Sequence, residues 1–389
     1  MSLTLLDFPT LVRTDVWFSD GNVILIAGSA AFKVHKGQLE RHSEIFQDLF
    51  SVPQPEGQLL FEGCPWVELH DSPSDILHLL HALYDGLYFD KSSGEDFPDI
   101  AGVLRLSTKY MIEHLRQRCL VRLTTDWPST LAGWDAREKV ATDKDGRYGP
   151  REAYPHPLLV MSLALELGIT DVLPSAYLDL ARYGPRRIVS GTPLPQPVIS
   201  SVPRTDSQTK DPLDGKSRVL DSSKTSTTDE EDILVPSHAE LSAILRGREV
   251  GQRHIAMFIE NELVSRPISA RCFNKHHDAG RACRESTYFV MLNILRAIGG
   301  ISHGRDADPL FTLTQVVEML GRTDFTDGVK QCGLKMCAAC KMDVEECVVA
   351  ARKDVWEQVP LWFDLGPWKG SKEEVVLDAE DSEEIARAI

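Results

Sequence analysis

A long polar stretch between residues 190 and 236 divides this sequence into two parts that must bury their apolar side chains separately. Ser, Thr, Pro, Asp and Lys dominate the stretch, and it contains no aromatic residue. Such a composition cannot bury enough apolar surface to offset an ordering entropy of ~1–2 kcal/mol per residue. We therefore predict a disordered linker over residues 190–236, with one or more folded domains on each side of it.

The overall composition of the chain limits the classes of function that it can have. A chain of 389 residues is expected to form two or three domains, and its net charge of −16 opposes binding to nucleic acid or to an anionic membrane. Its most apolar stretch, Leu158–Leu167, is interrupted by Glu166 and falls short of the ~20 residues that span a bilayer. The first nine residues lack a basic, secretory-type leader. We therefore predict an intracellular protein, in the nucleus or the cytoplasm, whose cysteines are thiols or metal ligands rather than disulfides.

The first 125 residues combine strand and helix signals. The run DVWFSDGNVILIAG predicts two strands joined as a hairpin at Asp20-Gly21, and AFKVH and WVEL predict two further short strands. Helical spacing then recurs up to residue 123, which predicts an α+β domain over residues 1–125. The first helix of this domain is predicted from four residues spaced by four, three and four positions: Leu39, Ser43, Phe46 and Phe50.

The rest of the chain has helical spacing. A helical extension is predicted over residues 126–189, and a helical C-terminal domain over residues 237–370, followed by an acidic tail at 371–389. The C-terminal domain begins with a capping box formed by Ser237 and Glu240, and a second helix is predicted around Ile255. The last helix is predicted to run from about Cys340 and to end before Pro360.

Two blocks in the first domain carry a family resemblance. The block DVWFSDGNVILIAGSAAFKVHKGQLERHSEIFQDLF contains the pattern F-x-V-H-K-x-x-L, and the block VLRLSTKYMIEHLRQRCLVRL contains L-x-x-x-x-K-Y-x-x-x-x-L. In their order and separation they resemble the opening and the last helical pair of a BTB/POZ domain. The whole chain resembles a group of fungal BTB proteins with a helical, cysteine-containing second half and a Trp/Pro-rich close, here RKDVWEQVPLWFDLGPW.

This resemblance implies protein association, usually as a homodimer, and hence a scaffold or regulator. The family's dimer uses the first helix and the segment before it, with an acid and a base in a small pocket at the twofold axis. The implied interface residues are Leu5, Leu6, Phe8, Asp15, Lys36 and Leu39. For Asp15 a local structural role is the alternative, and for Lys36 it is simple exposure to solvent. We interpret His35 as a buried, hydrogen-bonded residue, because no nucleophile pattern accompanies it.

Some BTB proteins are substrate adaptors for cullin ubiquitin ligases, and the resemblance raises that possibility here. These adaptors use an apolar-x-Glu element in the loop before the last strand, and Leu60 and Glu62 fit it. Helices predicted at 158–183 stand where adaptors carry supporting helices. Because three-residue patterns arise often by chance, an ordinary boundary between loop and strand is the competing interpretation.

Six of the eight cysteines lie in the second half of the chain. Cys337 and Cys340 form a C-x-x-C pair, and with Cys272 and Cys283 they would supply four ligands for one structural zinc. The alternatives are four buried thiols, or a site in which His276 or His277 replaces a cysteine. Cys119 and Cys347 are predicted to pack in the core. The sequence contains no catalytic or nucleotide-binding motif, so we predict no enzyme and no organic cofactor, with an uncharacterised enzyme in the helical half as the alternative.

Overall fold

The described residues form two compact units. The computed structural model describes residues 11–52, 60–87, 94–195, 232–298, 308–326 and 331–368. The first unit is built mainly from residues 11–122, and the second mainly from residues 123–192 and 234–368. The opening apolar segment, most of the predicted linker and the acidic tail lie outside the described residues.

A four-stranded sheet organises the first unit. Its strands are β1 (Val12–Trp17), β2 (Val23–Ala27), β3 (Ala30–Val34) and β4 (Trp66–Leu69), in the order β1-β3-β2-β4. All five residues of β2 are buried, so this strand is central to the core. The antiparallel hairpin joins β2 to β3, and β1 lies parallel to β3 on its other side.

The predicted hairpin at Asp20-Gly21 is therefore wrong. These residues connect β1 to β2, but β3 lies between the two strands. Gly21 serves a different purpose, because a Cβ at this position would lie 2.8 Å from Cγ of Lys33. The glycine allows the connection to pass close to β3, which a larger residue would prevent.

The single helix predicted from Leu39 to Phe50 is in fact two helices. Ser43 leaves the helical conformation, with φ −143° and ψ 118°. Its hydroxyl accepts a hydrogen bond from the Phe46 amide at 3.1 Å and donates one to the Tyr110 carbonyl at 2.6 Å. Ser43 is thus the N-cap of the second helix. The helices up to residue 126 are α1 (Lys36–His42), α2 (Glu44–Ser51), α3 (Pro73–Tyr84), α4 (Phe97–Lys109) and α5 (Glu113–Asp126).

The described part of the second unit is mostly helical, as predicted. It also contains a short antiparallel pair of strands, Phe325–Thr326 with Gln331–Cys332. The helices are α6 (Leu131–Val140), α7 (Pro150–Ala153), α8 (Pro157–Leu167), α9 (Leu173–Ala181), α10 (Pro185–Ser190), α11 (His238–Phe258), α12 (Arg281–Ile298), α13 (Pro309–Gly321) and α14 (Ala338–Trp362). The short strands are β5 (Thr192–Pro193), β6 (Ile233–Leu234), β7 (Phe325–Thr326) and β8 (Gln331–Cys332).

The capping box at the start of α11 is confirmed. The Ser237 amide donates to the Glu240 carboxylate at 2.6 Å, and the Glu240 amide donates to the Ser237 hydroxyl at 3.3 Å. The prediction of a separate helix around Ile255 is wrong, because α11 continues to residue 258 and then widens into a π-helical turn. Gly247 stands inside α11 because the Phe363 ring occupies the space that a Cβ would need.

The last helix also extends further than predicted. It continues through Pro360 and ends at Trp362, so the proline lies in its final turn. The Pro360 carbonyl accepts hydrogen bonds from the amides of Phe363 and Leu365, which close the helix. None of the helices in the described ranges is long and apolar enough to cross a lipid bilayer.

Candidate metal centre and interaction residues

Three separate segments of the helical unit bring four cysteines together. Cys272 precedes a short 3-10 turn, Cys283 lies in the first turn of α12, Cys337 caps α14 and Cys340 lies in its first turn. The four sulfur atoms all lie within 4.8 Å of one another. The cysteines that the sequence singled out therefore form one cluster, although 65 residues separate Cys272 from Cys337.

The spacing of the sulfur atoms suits a tetrahedral metal ion. Cys272 Sγ lies 3.7 Å from Cys283 Sγ and 3.7 Å from Cys337 Sγ. Four Zn–S bonds of ~2.3 Å in a tetrahedron place the sulfurs about 3.8 Å apart. The cluster can therefore close around a zinc ion with little movement. His276 and His277 are both exposed and do not belong to the group, so the candidate ligand set is all cysteine.

Hydrogen bonds to the sulfur atoms support the same chemistry. Cys283 Sγ accepts from the Asn274 side-chain amide at 3.3 Å and from the Cys337 backbone amide at 3.4 Å. Cys340 Sγ accepts from the Ser269 amide at 3.4 Å. Donors of this kind stabilise thiolates and hold metal ligands in a fixed orientation.

The thiols of Cys283, Cys337 and Cys340 differ in acidity. Burial raises the pKa values of Cys283 and Cys340, which favours their protonated forms. Burial also acts to raise the pKa of Cys337, but hydrogen bonds from the backbone amides of Cys340 and Phe273 outweigh it and lower that pKa to about 6. A lowered pKa favours the thiolate form of Cys337, which is the form that binds a metal cation.

Cys119 and Cys347 lie outside this cluster, in different surroundings. Cys119 is fully buried, as predicted, and burial raises its pKa to about 12. The prediction of core packing for Cys347 is wrong, because its thiol is only half-buried and donates to Glu262 at 3.0 Å beside a cavity of about 480 Å³. The inward face of α14 is formed instead by Val344 and Val348.

The implied interface residues of the first unit have contacts within their own unit. Asp15 lies 3.4 Å from Nε2 of His81, and its side chain is partly exposed. Lys36 lies 3.5 Å from the Glu40 carboxylate and donates to the Phe50 carbonyl at 3.3 Å. Both side chains remain accessible at the surface of this unit.

Leu39 and His35 lie deeper than these charged residues. Leu39 is 1% exposed, so it packs inside the unit and does not contribute to its surface. His35 is half-buried and not fully buried: Nδ1 lies 3.1 Å from the Tyr84 hydroxyl and Nε2 lies 3.2 Å from Asp20. The hydrogen bonding predicted for His35 is thus confirmed, whereas its predicted full burial is not. Leu5, Leu6 and Phe8 lie outside the described residues.

The apolar-x-Glu element lies in a tight turn before β4. Leu60 is 58% exposed, whereas Glu62 forms an ion pair with Arg13 and adopts a positive φ of 49°. Phe61 and Cys64 form a single antiparallel bridge around this turn. The leucine is therefore free to contact a partner, but the glutamate is already engaged within the unit.

An ionic network inside the second unit was missed from the sequence, which suggested that most carboxylates are surface charge. Asp179 accepts hydrogen bonds from Arg137 at 2.7 Å and from Arg182 at 2.5 Å. Arg182 also contacts Glu138 at 2.8 Å and Asp308 at 2.9 Å. Burial acts to raise the pKa of Asp179, but the surrounding guanidinium groups hold it well below the usual range. The sequence feature that could have indicated this network is an acidic residue within the otherwise apolar helix α9.

Comparison with known proteins bears on the first unit. Residues 18–126 match the family model of the BTB/POZ domain. No curated protein matches the chain significantly. The matched range contains three of the four strands of the small sheet, β2 to β4, together with α1 to α5. Residues 18–126 are therefore a BTB/POZ domain, which is followed by a mostly helical C-terminal region.

Proposed function

We propose that this protein acts inside the cell as a dimeric scaffold or regulator, which associates with itself and with other proteins through its BTB/POZ domain. The match of residues 18–126 to that domain carries the proposal, because the domain is a protein-interaction fold. The partly exposed side chains of Asp15 and Lys36 support it, since charged groups at an interface select partners and fix register.

The oligomeric state of the full chain tests this proposal. Light scattering should give twice the monomer mass of 43.4 kDa. Leu5→Asp combined with Leu6→Asp should give monomers, because a charge in the apolar opening segment opposes its burial between subunits. Leu60→Asp is the matched control, since it introduces the same charge at an exposed leucine and should leave the dimer intact. A wild-type monomer at high concentration would overturn the proposal.

A cullin adaptor is the second candidate, and the exposure of Leu60 favours it. Leu60→Ala combined with Glu62→Ala should abolish capture of a cullin by the purified protein, and the variant should still dimerise. Val52→Ala, at another exposed apolar position, should have no effect. Failure of the wild type to bind any cullin would exclude this role.

We also propose that Cys272, Cys283, Cys337 and Cys340 bind one structural zinc ion. The spacing of 3.7 Å between neighbouring sulfurs supports this, together with the amide hydrogen bonds to the sulfurs. A bound ion would connect the segment around Cys272 to the starts of α12 and α14. Since metal binding of this kind contributes directly to folding free energy, the zinc would stabilise the whole helical unit.

Metal analysis of the purified chain should find one zinc per monomer. Cys340→Ser should lower the zinc content and the melting temperature, because serine is a poor zinc ligand. Cys347→Ser is the matched control, as it lies outside the cluster and should retain the metal. If protein purified in the presence of zinc contains no metal and its four thiols react freely, the cluster is simply a set of buried cysteines.

A further inference from the structure

A large cavity lies within the helical unit. Its volume is about 1380 Å³, and residues from α6, α10, α13 and the loop around Tyr148 line it. Pockets for small molecules usually measure ~300–1,000 Å³. This cavity is larger, so a peptide segment suits its size better than a small ligand does.

Aromatic and aliphatic side chains form part of the cavity wall. Tyr148, Tyr183 and Phe311 are half-buried and contribute rings to the wall. Trp134 and Leu310 also line the cavity, but each is only 1% exposed. Such a wall favours an occupant with apolar side chains of its own.

The charged groups in the floor of the cavity neutralise one another. Glu138 and Asp308 both pair with Arg182, and Arg151 pairs with Asp179. These ion pairs belong to the fold itself and leave little net charge on the cavity floor to interact with an occupant.

The rim, in contrast, carries unpaired positive charge. Lys139, Arg186 and Arg187 are exposed, and none of the acids in the described ranges lies within ion-pair distance of them. Glu318 is an opposing acid on the same lining. An excess of cations at one cavity in a chain of net charge −16 favours an acidic occupant.

The chain itself leads from this cavity to an acidic segment. Trp368, the last described residue, stacks on Trp356 with ring centroids 5.2 Å apart, and Trp356 lies 5.7 Å from Trp134 of the cavity wall. Residues 369–373 can extend by about 17 Å at ~3.3–3.6 Å per residue. The residues that follow can therefore reach the rim.

The composition of this segment matches the cavity. Residues 373–384 contain seven acids and no base, and Val375, Val376 and Leu377 form an apolar run between Glu374 and Asp378. Acidic groups on both sides of an apolar run are the complement of a cationic rim around an apolar wall.

We propose that residues 373–384 bind in this cavity of their own chain, with their carboxylates at Lys139, Arg186 and Arg187 and their apolar run against Phe311. A short tether gives an effective concentration in the millimolar range, so a weak contact is sufficient. This interaction is independent of BTB-mediated association, and an acidic partner peptide would have to displace the segment to enter the cavity.

Zero-length carbodiimide cross-linking of the full chain tests the proposal, because it joins a carboxylate only to an amine that touches it. Mass spectrometry should find Lys139 joined to Glu373, Glu374 or Asp378. Lys144 is the matched control: it is an exposed lysine in the neighbouring loop and does not line the cavity. Its cross-links to the same segment should be at least fivefold fewer.

Removing or screening the positive charge of the rim should weaken this cross-link. Arg186→Gln with Arg187→Gln should lower the Lys139 cross-link at least threefold, and 1 M NaCl should do the same by screening exposed charges. The melting temperature should not change, since both arginines are exposed. Equal yields at Lys139 and Lys144, or yields that ignore both changes, would overturn the proposal. Light and isotope-labelled chains can also be mixed before cross-linking. Cross-links that join a light chain to a labelled chain would overturn the proposal, because they would show that the segment binds a second copy of the chain.

Discussion

Replacing Asp179 with alanine is expected to destabilise the helical unit far more than the loss of an exposed carboxylate. The Asp179 side chain is 1% exposed and accepts hydrogen bonds from Arg137, Arg151 and Arg182. Its removal leaves guanidinium groups inside the protein with too little negative charge to balance them.

The size of the effect follows from this burial. Breaking a buried ion pair by removing one partner costs ~3–5 kcal/mol, which is a large share of the ~5–15 kcal/mol that stabilises a typical protein. Asp135 provides the matched control, because it pairs with Arg352 but is 45% exposed. Asp135→Ala should cost only ~0–1 kcal/mol.

Urea unfolding followed by tryptophan fluorescence is a suitable assay. Five of the seven tryptophans, residues 127, 134, 356, 362 and 368, belong to the helical unit, so the signal reports mainly on that unit. With a slope of ~1–3 kcal/mol per molar urea, the midpoint for Asp179→Ala should fall by more than about 1 M.

A second variant separates charge from shape. Asp179→Asn keeps the size of the side chain but removes its charge, and it should be nearly as damaging as Asp179→Ala. An asparagine variant within about 1 kcal/mol of the wild type would refute the electrostatic reasoning, because packing alone would then explain the alanine result.

Three further changes test other parts of the fold. Ser43→Ala should cost ~1–3 kcal/mol in urea unfolding, since it removes a helix cap and leaves a buried carbonyl without its donor. Gly247→Ala should lower the melting temperature although alanine favours helices, because the new Cβ would lie 2.1 Å from the Phe363 ring. Gly321→Ala is the control, since its Cβ would meet no neighbour and should not lower the melting temperature. Burial lowers the pKa of His156 to about 4, so stability of up to about 3 kcal/mol should be present above pH 6.5 and lost as the pH falls towards 4. His156→Asn should flatten this part of the pH profile of unfolding free energy, and an unchanged profile would contradict this expectation.

Local chemistry made several features predictable from the sequence. The capping box at Ser237 depends on residues three positions apart, and the BTB/POZ domain carries its own residue pattern. The association of Cys272 and Cys283 with the C-x-x-C pair was also anticipated, because one zinc needs four ligands and few other candidates exist.

The features that were missed depend on contacts distant in sequence. Ser43 interrupts a helical pattern because its hydroxyl binds the Tyr110 carbonyl, 67 residues away. The order of the strands depends on β1 pairing with β3, which the turn at Asp20-Gly21 does not reveal. Asp179 pairs with three arginines, and two of them, Arg137 and Arg151, lie 42 and 28 residues away in the sequence, so no local pattern reveals the whole network.

The ion pair between Arg182 and Asp308 joins residues 126 positions apart, and this has a consequence for biosynthesis. A ribosome that adds ~5–20 residues per second needs roughly 6–25 s to travel from one residue to the other. During that time α8 and α9 have been made, but α14, which also packs against α9, has not. The part of α9 that α14 covers then remains exposed on the nascent chain, so the yield of the protein in cells should depend on chaperones that bind such surfaces during translation.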